Sequence, residues 1–370
     1  MTPGTNDLSS PASSRISEDT RVDILGLSRA QLTERISGLT DRRYRADQIF
    51  DHVYRQGVVD FDAMTDLSLG LRRSLGESFR VGIPPIVERH RSSDGTEKVL
   101  LALGDGVKIE TVDIPDGSRR TLCLSSQAGC ALGCAFCVTG YWGGGRNLTA
   151  GEIVGQVLAL RRPESKSLAG VNLVFMGMGE PLLNVGALEA ALEILTEYVS
   201  WRRITVSTVG ILPALERMAA WRRRPNLAVS LHAPDDERRS RIMPINRIYP
   251  LTELVAALRR FPLEGPRRIT LEYVMIREFN DAVEDADRLA SVFSGMPVKA
   301  NLIPINEDPV LGERMKPPAR QVVDAFRNRL RARGMTTTVR RRRGDDVDAA
   351  CGQLRSRERE PRVRVRRLGL

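Results

Sequence analysis

From Ser28 to Phe79 the apolar residues recur at helical spacing. Leu32, Ile36 and Leu39 share one face of a helix that Ser28 can cap. Ile49, Phe50, Val53 and Tyr54 mark a second helix, and Leu67, Leu71, Leu75 and Phe79 a third. Gly82 and Pro84-Pro85 stop this pattern, and from 87 to 125 the period becomes two. Val99, Leu101 and Leu103 alternate, as do Val107, Ile109 and Thr111, around a turn at Gly104-Asp105-Gly106. The alternation sets Lys108 and Glu110 opposite Ile109, where a carboxylate reads equally as solvated or as functional. Beyond residue 120, apolar runs near 121–125, 171–176, 203–208, 226–231, 268–275 and 298–304 read as strands. Helical patterns fill the intervals at roughly 149–162, 186–199, 211–221, 251–261, 283–294 and 318–332, the first opened by a Thr149–Glu152 capping box.

Six strand–helix units with crossovers of this length imply an α/β fold on a parallel sheet, open or partly closed into a barrel. In such folds the chemistry gathers at the C-terminal ends of the strands. Glu180 follows the second strand, Ser207 the third, His232 the fourth and Asn306 the sixth, so these four should converge beside the loop after the first strand. The expected organisation is a disordered stretch over 1–20, a helical accessory domain over 21–82 and a β linker over 83–120. A barrel-like domain over 121–335 and a C-terminal loop with a basic tail over 336–370 follow.

Composition changes this picture in two ways. Among 370 residues, 42% are hydrophobic, yet no run approaches the roughly 18 apolar residues of a membrane span. The N-terminus has no apolar stretch of the kind a secretory signal needs, so a cytoplasmic protein with no membrane partner is expected. The net charge of +10 suits a polyanionic partner. Residues 340–370 carry 11 Arg against 5 acidic residues, which reads equally as a solvated tail or as a nucleic-acid contact.

The five cysteines are Cys123, Cys130, Cys134, Cys137 and Cys351, an odd number that argues against a disulfide framework. Cys130, Cys134 and Cys137 form a C-x₃-C-x₂-C loop. Three thiolates can hold three irons of a [4Fe–4S] cluster and leave the fourth open to a ligand. A structural zinc site needs four ligands, and none of His52, His90 and His232 has a partner at zinc-ligand spacing, so the set suits a cluster better than zinc.

This loop, with Phe136 before the last Cys, resembles that of radical S-adenosylmethionine enzymes. The stretch Phe175-Met-Gly-Met-Gly-Glu-Pro181 resembles the glycine-rich strand end that such enzymes turn toward the methionine amino group. With Thr121-Leu-Cys123-Leu-Ser-Ser-Gln-Ala-Gly-Cys130 and Arg343-Gly-Asp-Asp-Val-Asp-Ala-Ala-Cys351-Gly-Gln-Leu354, the chain resembles the RlmN/Cfr family of RNA adenine methyltransferases from about residue 22 to 354. The resemblance implies a partial (β/α)6 barrel preceded by a small helical domain and a short β linker. Cys130, Cys134 and Cys137 match the cluster ligands, Cys351 the cysteine that becomes methylated, and Cys123 its resolving partner. Gly179, Glu180, Ser207, Ser230, Leu231, His232 and Asn306 fall where the family contacts S-adenosylmethionine, and Glu110 where it places a proton acceptor. The sequence departs from the family pattern at Val138-Thr139-Gly140, at Gly143-Gly144-Gly145 and at Ser207-Thr-Val-Gly210, without losing a ligand.

The implied reaction uses two S-adenosylmethionine molecules per turnover. One methylates Cys351. The other is cleaved at the cluster to a radical that takes hydrogen from the S-methyl group. The resulting methylene adds to carbon 2 of adenine, and Cys123 then releases the product and leaves a transient disulfide. Implied partners are 23S rRNA at adenosine 2503 and tRNA at adenosine 37. A low-potential donor such as flavodoxin or ferredoxin is implied as well, with the enzyme acting as a monomer. Arginines 340–343 and the helical module are the natural RNA-binding surfaces. Methylation at carbon 8 by the same machinery is the alternative within the family. Outside it stands a non-catalytic Fe–S or zinc RNA-binding protein, against which Gly177 to Pro181 speaks.

Overall fold

The computed structural model describes residues 20–354 apart from 163–167, 169, 314, 350 and 351. The expected disordered segment 1–20 lies outside the described residues except for Thr20, as does the basic tail beyond Leu354. The chain opens with a two-residue strand, β1 (Val22–Asp23), followed by three helices, α1 (Arg29–Arg35), α2 (Tyr44–Phe50) and α3 (Leu69–Ser78). A second two-residue strand, β2 (Phe79–Arg80), pairs parallel with β1 and so closes the helical module on itself. Ser28 caps α1 in a full capping box and Ser68 caps α3. The second helix continues through Asp51–Gln56 as a π-helical turn, a departure that spacing alone does not reveal.

A single ten-stranded sheet carries the rest. Strands β3 (Ile86–Arg91), β4 (Glu97–Ala102), β5 (Lys108–Asp116) and β6 (Arg119–Cys123) form an antiparallel meander. From β6 the sheet turns parallel, through β7 (Val171–Phe175), β8 (Ile204–Thr208), β9 (Asn226–Ser230), β10 (Ile269–Met275), β11 (Val298–Pro304) and β12 (Thr336–Val339). The spatial order follows the sequence order, with β3 and β12 at the edges. Helices α4 (Val138–Tyr141), α5 (Ala150–Ala159), α6 (Val185–Leu195), α7 (Leu212–Ala219), α8 (Asp236–Ile242), α9 (Leu251–Arg260), α10 (Val283–Val292) and α11 (Arg320–Ala332) lie between the parallel strands. The α/β architecture and the six expected strands are present, and Thr149 and Glu152 form their capping box. Two elements differ. The parallel sheet has a seventh strand, β12, formed by a Thr-rich stretch whose β-branched side chains suit an edge. Helix α8 forms from a charged segment with almost no apolar periodicity.

Residues paired across a ladder share a face, so register fixes which side chains point inward. Lys98 pairs with Val112, Val112 with Cys123, Cys123 with Val174 and Val174 with Thr205. On the same face lie Ser207 opposite Ala228, and Ser230 opposite Glu272. Glu110, two residues before Val112, therefore faces inward with Cys123. It is 3% exposed, which excludes the solvated alternative: Lys98 of β4 pairs with it and is itself met by the Asp348 carbonyl of the C-terminal loop.

The helical module is docked on this frame. Arg29 binds Asp47 and Asp51 within the module and Glu197 just beyond α6. Phe50 and Tyr54 stack on Tyr198. Gly26, at φ +92°, lies backbone to backbone against Gly151 at the start of α5, where a Cβ on either would run into the opposing main chain. Gly151→Ala should therefore lose roughly 1–3 kcal/mol of stability from overpacking. Gly76→Ala, a helical position with open space, should gain up to about 1 kcal/mol. Thermal unfolding of the two variants measures the difference.

Candidate active site

The polypeptide leaves β6 still hydrogen-bonded to β7, through Leu124 N–H to the Val174 carbonyl and Gly177 N–H to the Leu124 carbonyl. Buried Gln156 on α5 then grips the turn: its amide oxygen accepts from Ser125 N–H and Thr111 Oγ1, and its nitrogen donates to the Ser125 carbonyl. These bonds anchor the cysteine loop. Its far side is closed by the glycine run, one of the departures from the family pattern. Gly145 backs directly onto the Ala128 carbonyl, leaving no room for a Cβ, and Cys130 N–H donates to the Gly143 carbonyl at 3.0 Å. Ala135 N–H donates to the Ile242 carbonyl at the end of α8, at 2.9 Å. Cys137 is the N-cap of α4.

Cys130, Cys134 and Cys137 all line one cavity. Burial, then the neighbouring Cys137, pushes the Cys130 thiol up to about 12, and Cys134 is raised by the same causes. Such thiols stay protonated until a cation displaces their protons. Three thiols lining one cavity suit a cluster, in which each thiolate holds a different iron.

The remaining wall comes from the strand ends. Gly179, Glu180, Ser207, Ser230, His232 and Asn306 line the same cavity. Leu231 is the exception. It is fully buried behind the wall, its N–H given to the Glu272 carbonyl and its carbonyl to Arg239. Burial pushes Glu180 up to about 7, although its two oxygens accept from Leu182 N–H and Val209 N–H, each at 2.9 Å. His232 sits at φ +59°, a left-handed conformation that non-glycine residues rarely hold and that clusters at functional sites. Its Nδ1 accepts from Val274 N–H at 3.0 Å, which places the ring proton on Nε2. Burial and then Arg239 lower its pKa to about 3, so the ring is neutral, packed edge-on against Phe136.

Cys123 and Glu110 lie beyond the cysteine loop on the inner sheet face. Glu110 forms a buried ion pair with Lys98 at 3.2 Å, and Lys98 also donates to the Asp348 carbonyl in the C-terminal loop. Met178, buried beneath them, accepts the Glu110 N–H on sulfur. Cys351 itself lies outside the described residues. The loop on either side of it is held at several points. Gly344 N–H donates to Asp94, Ser93 N–H to Asp346, Val138 N–H to the Gly352 carbonyl and Thr139 to the Leu354 carbonyl. Gly352 and Leu354 line the cavity.

Sequence reasoning missed three residues here, Lys98, Arg239 and Glu272, and gave Arg340 to the RNA-binding surface without placing it at the cavity. Glu272 interrupts an apolar strand, a signal that could have been read, and it faces the cavity while accepting from Asn301. Strand β12 delivers Arg340 to the cavity wall. Arg340–Arg343 line a second hollow beside the first, which shares Ile303 and Asn306 with it. Arg343 pairs with Asp116 and Arg342 donates to the Ile305 carbonyl, so this part of the basic run belongs to the folded frame.

Comparison with known proteins gives the same answer. Residues 124–290 match the radical SAM superfamily, and residues 22–81 match the ribosomal RNA large subunit methyltransferase N-terminal domain. The dual-specificity RNA methyltransferase RlmN of Geobacter sulfurreducens is 46% identical over 343 residues, covering 92% of this chain and 93% of the relative. That of Halorhodospira halophila is 47% identical over 350 residues, covering 92% and 96%. The crystal structure of a radical SAM methyltransferase from Sphaerobacter thermophilus is similar with a TM-score of 0.85 at 44% identity, covering 90% of this chain and 99% of that one. The chain belongs to the RlmN family of radical S-adenosylmethionine RNA methyltransferases.

Proposed function

We propose that this protein methylates carbon 2 of adenosine in RNA, at adenosine 2503 of 23S rRNA and adenosine 37 of tRNA. The observation that carries the reading is the meeting of three thiols and six strand-end residues in one cavity, with Cys123 inward on the neighbouring strand. Cys130, Cys134 and Cys137 would hold a [4Fe–4S] cluster. Gly179, Glu180, Ser207, Ser230, His232 and Asn306 would hold S-adenosylmethionine, with Leu231 bracing the wall behind them. When bound, this pair supplies the methyl group and one-electron chemistry, using an electron from a donor of the flavodoxin or ferredoxin type.

The chain's own groups do the rest. Glu180, fixed by Leu182 N–H, Val209 N–H and the Thr208 side chain, turns its carboxylate to an amino group of the cofactor. Neutral His232 offers Nε2–H as a fixed donor. Cys351 carries the methyl group to the base, and Glu110, held by Lys98, takes the C2 proton. Cys123 then attacks the Cys351 sulfur. The bond between sulfur and the transferred carbon breaks, the carbon keeps the electron pair and takes a proton to become the methyl group, a disulfide forms, and a thiol reductant restores both cysteines. The helical module over 21–82 and Arg340–Arg343 would bind the phosphates of a cytoplasmic RNA. The target base must leave its stack to enter the cavity.

Two outcomes test these assignments. Anaerobically reconstituted protein should hold about four iron and four sulfide, and Cys130→Ala, Cys134→Ala or Cys137→Ala should lose them, as elemental analysis measures. Stoichiometric zinc in place of iron would contradict the ligand assignment. Cys123→Ala should accumulate RNA bound covalently through Cys351, a species that survives denaturation and disappears on nuclease treatment. Cys351→Ala should make neither product nor adduct. Normal turnover by Cys123→Ala would rule out its resolving role.

A further inference from the structure

Arg239, on α8, is the largest fully buried side chain among the described residues. Its Nε donates to the Leu231 carbonyl at 3.2 Å. Its Nη1 donates to Asn246 Oδ1 at 2.6 Å, and its Nη2 to the carbonyls of Val209 at 2.7 Å and Ser230 at 3.2 Å. Every one of these acceptors is neutral. The carboxylate of Asp236, one turn earlier on the helix, is turned instead to Asn246 Nδ2 at 2.8 Å and Leu251 N–H at 2.7 Å. Asp235 is taken by Arg238. A guanidinium is thus buried among dipoles with no carboxylate in contact, and what offsets its desolvation acts through space, from Cys134 first and then Asp236. Burial lowers its pKa only to about 10, so it remains a cation at neutral pH.

The counter-charge is not among the residues it touches, but its position indicates where one forms. The carbonyls it holds belong to the ends of β8 and β9, and the side chains of Val209, Ser230 and His232 beside them form the cavity wall. The same helix ends on Ile242, whose carbonyl holds the backbone between Cys134 and Cys137. The guanidinium therefore lies directly behind the wall at Cys134, and its field acts on that thiol. An iron–sulfur cube held by three thiolates is an anion, and it gains a further negative charge when it takes up one electron. In a dry interior a fixed cation favours the more negative state most.

We propose that Arg239 is the buried counter-charge of the reduced cluster and sets its reduction potential. It is a positioning residue that acts through its field, since its own contacts are with backbone and Asn246. This inference rests on the cluster reading given above. The electron comes from a low-potential one-electron donor, and no bond or proton changes hands at Arg239.

Spectroelectrochemical titration of the reconstituted protein, followed by iron analysis and by the paramagnetic signal of the reduced state, tests the proposal. Arg239→Met removes the charge and keeps the bulk. It should retain iron while its reduction equilibrium shifts at least tenfold toward the oxidised form, about 59 mV downward for one electron. Arg239→Lys keeps the charge but loses most of the carbonyl bonds, and should move the potential less than half as far. A purely structural role would make both variants fail alike. Should Arg239→Met lose the fold, Arg239→Gln removes the charge while keeping a donor for one carbonyl, and should lower the potential in the same direction. An unchanged potential in a folded, iron-loaded Arg239→Met or Arg239→Gln protein would overturn the proposal. Wild-type protein that takes up no iron would instead refute the cluster reading on which it rests.

Discussion

Parallel pairing from β6 to β12 is the constraint on which the site depends. Because neighbouring strands run the same way, all their C-terminal ends meet at one rim, and the residues just past each end face a common space. Residues separated by more than 170 positions in the chain, such as Cys130 and Asn306, thereby become walls of one cavity. The antiparallel strands before β6 extend the same inner face, so Lys98, Glu110 and Cys123 lie on it without belonging to the parallel units. Strand β12 completes the rim from the other edge and brings Arg340 to it.

What the sequence revealed, and what it did not, follows from how local each signal is. The capping boxes at Ser28 and Thr149, the alternating strands and the cysteine spacing are decided within a few residues, and each was readable. The strand-end polar residues were readable once a parallel sheet was inferred. The burial of Glu110 was not, because it depends on a distant loop and on Lys98 from a neighbouring strand. Arg239 escaped for a similar reason: α8 reads as a charged surface segment, and only tertiary packing turns one of its arginines inward. The π-helical turn after α2 and the short edge strand β12 likewise follow from tertiary context more than from periodicity.

The cavity and the layer behind it carry polar groups whose charged forms burial opposes. Glu180 is pushed up to about 7, His232 down to about 3 and, behind the wall, Arg239 down to about 10, each chiefly by desolvation. A stable apolar core has no use for such groups. Held by backbone N–H and carbonyl groups from several strand ends, they form a preorganised set of donors, acceptors and charges around the cavity. The glycines that let Gly145 meet Ala128 and Gly26 meet Gly151 serve the same end, by fixing the cysteine loop and the helical module against the sheet.

The central claim is chemical: that this cavity places a methyl group on carbon 2 of adenosine in RNA. Mass-spectrometric nucleoside analysis of rRNA and tRNA from cells with and without this gene tests it most directly. The account predicts that 2-methyladenosine disappears from both when the gene is removed and returns when it is restored. Unchanged 2-methyladenosine, or loss of 8-methyladenosine in its place, would contradict it.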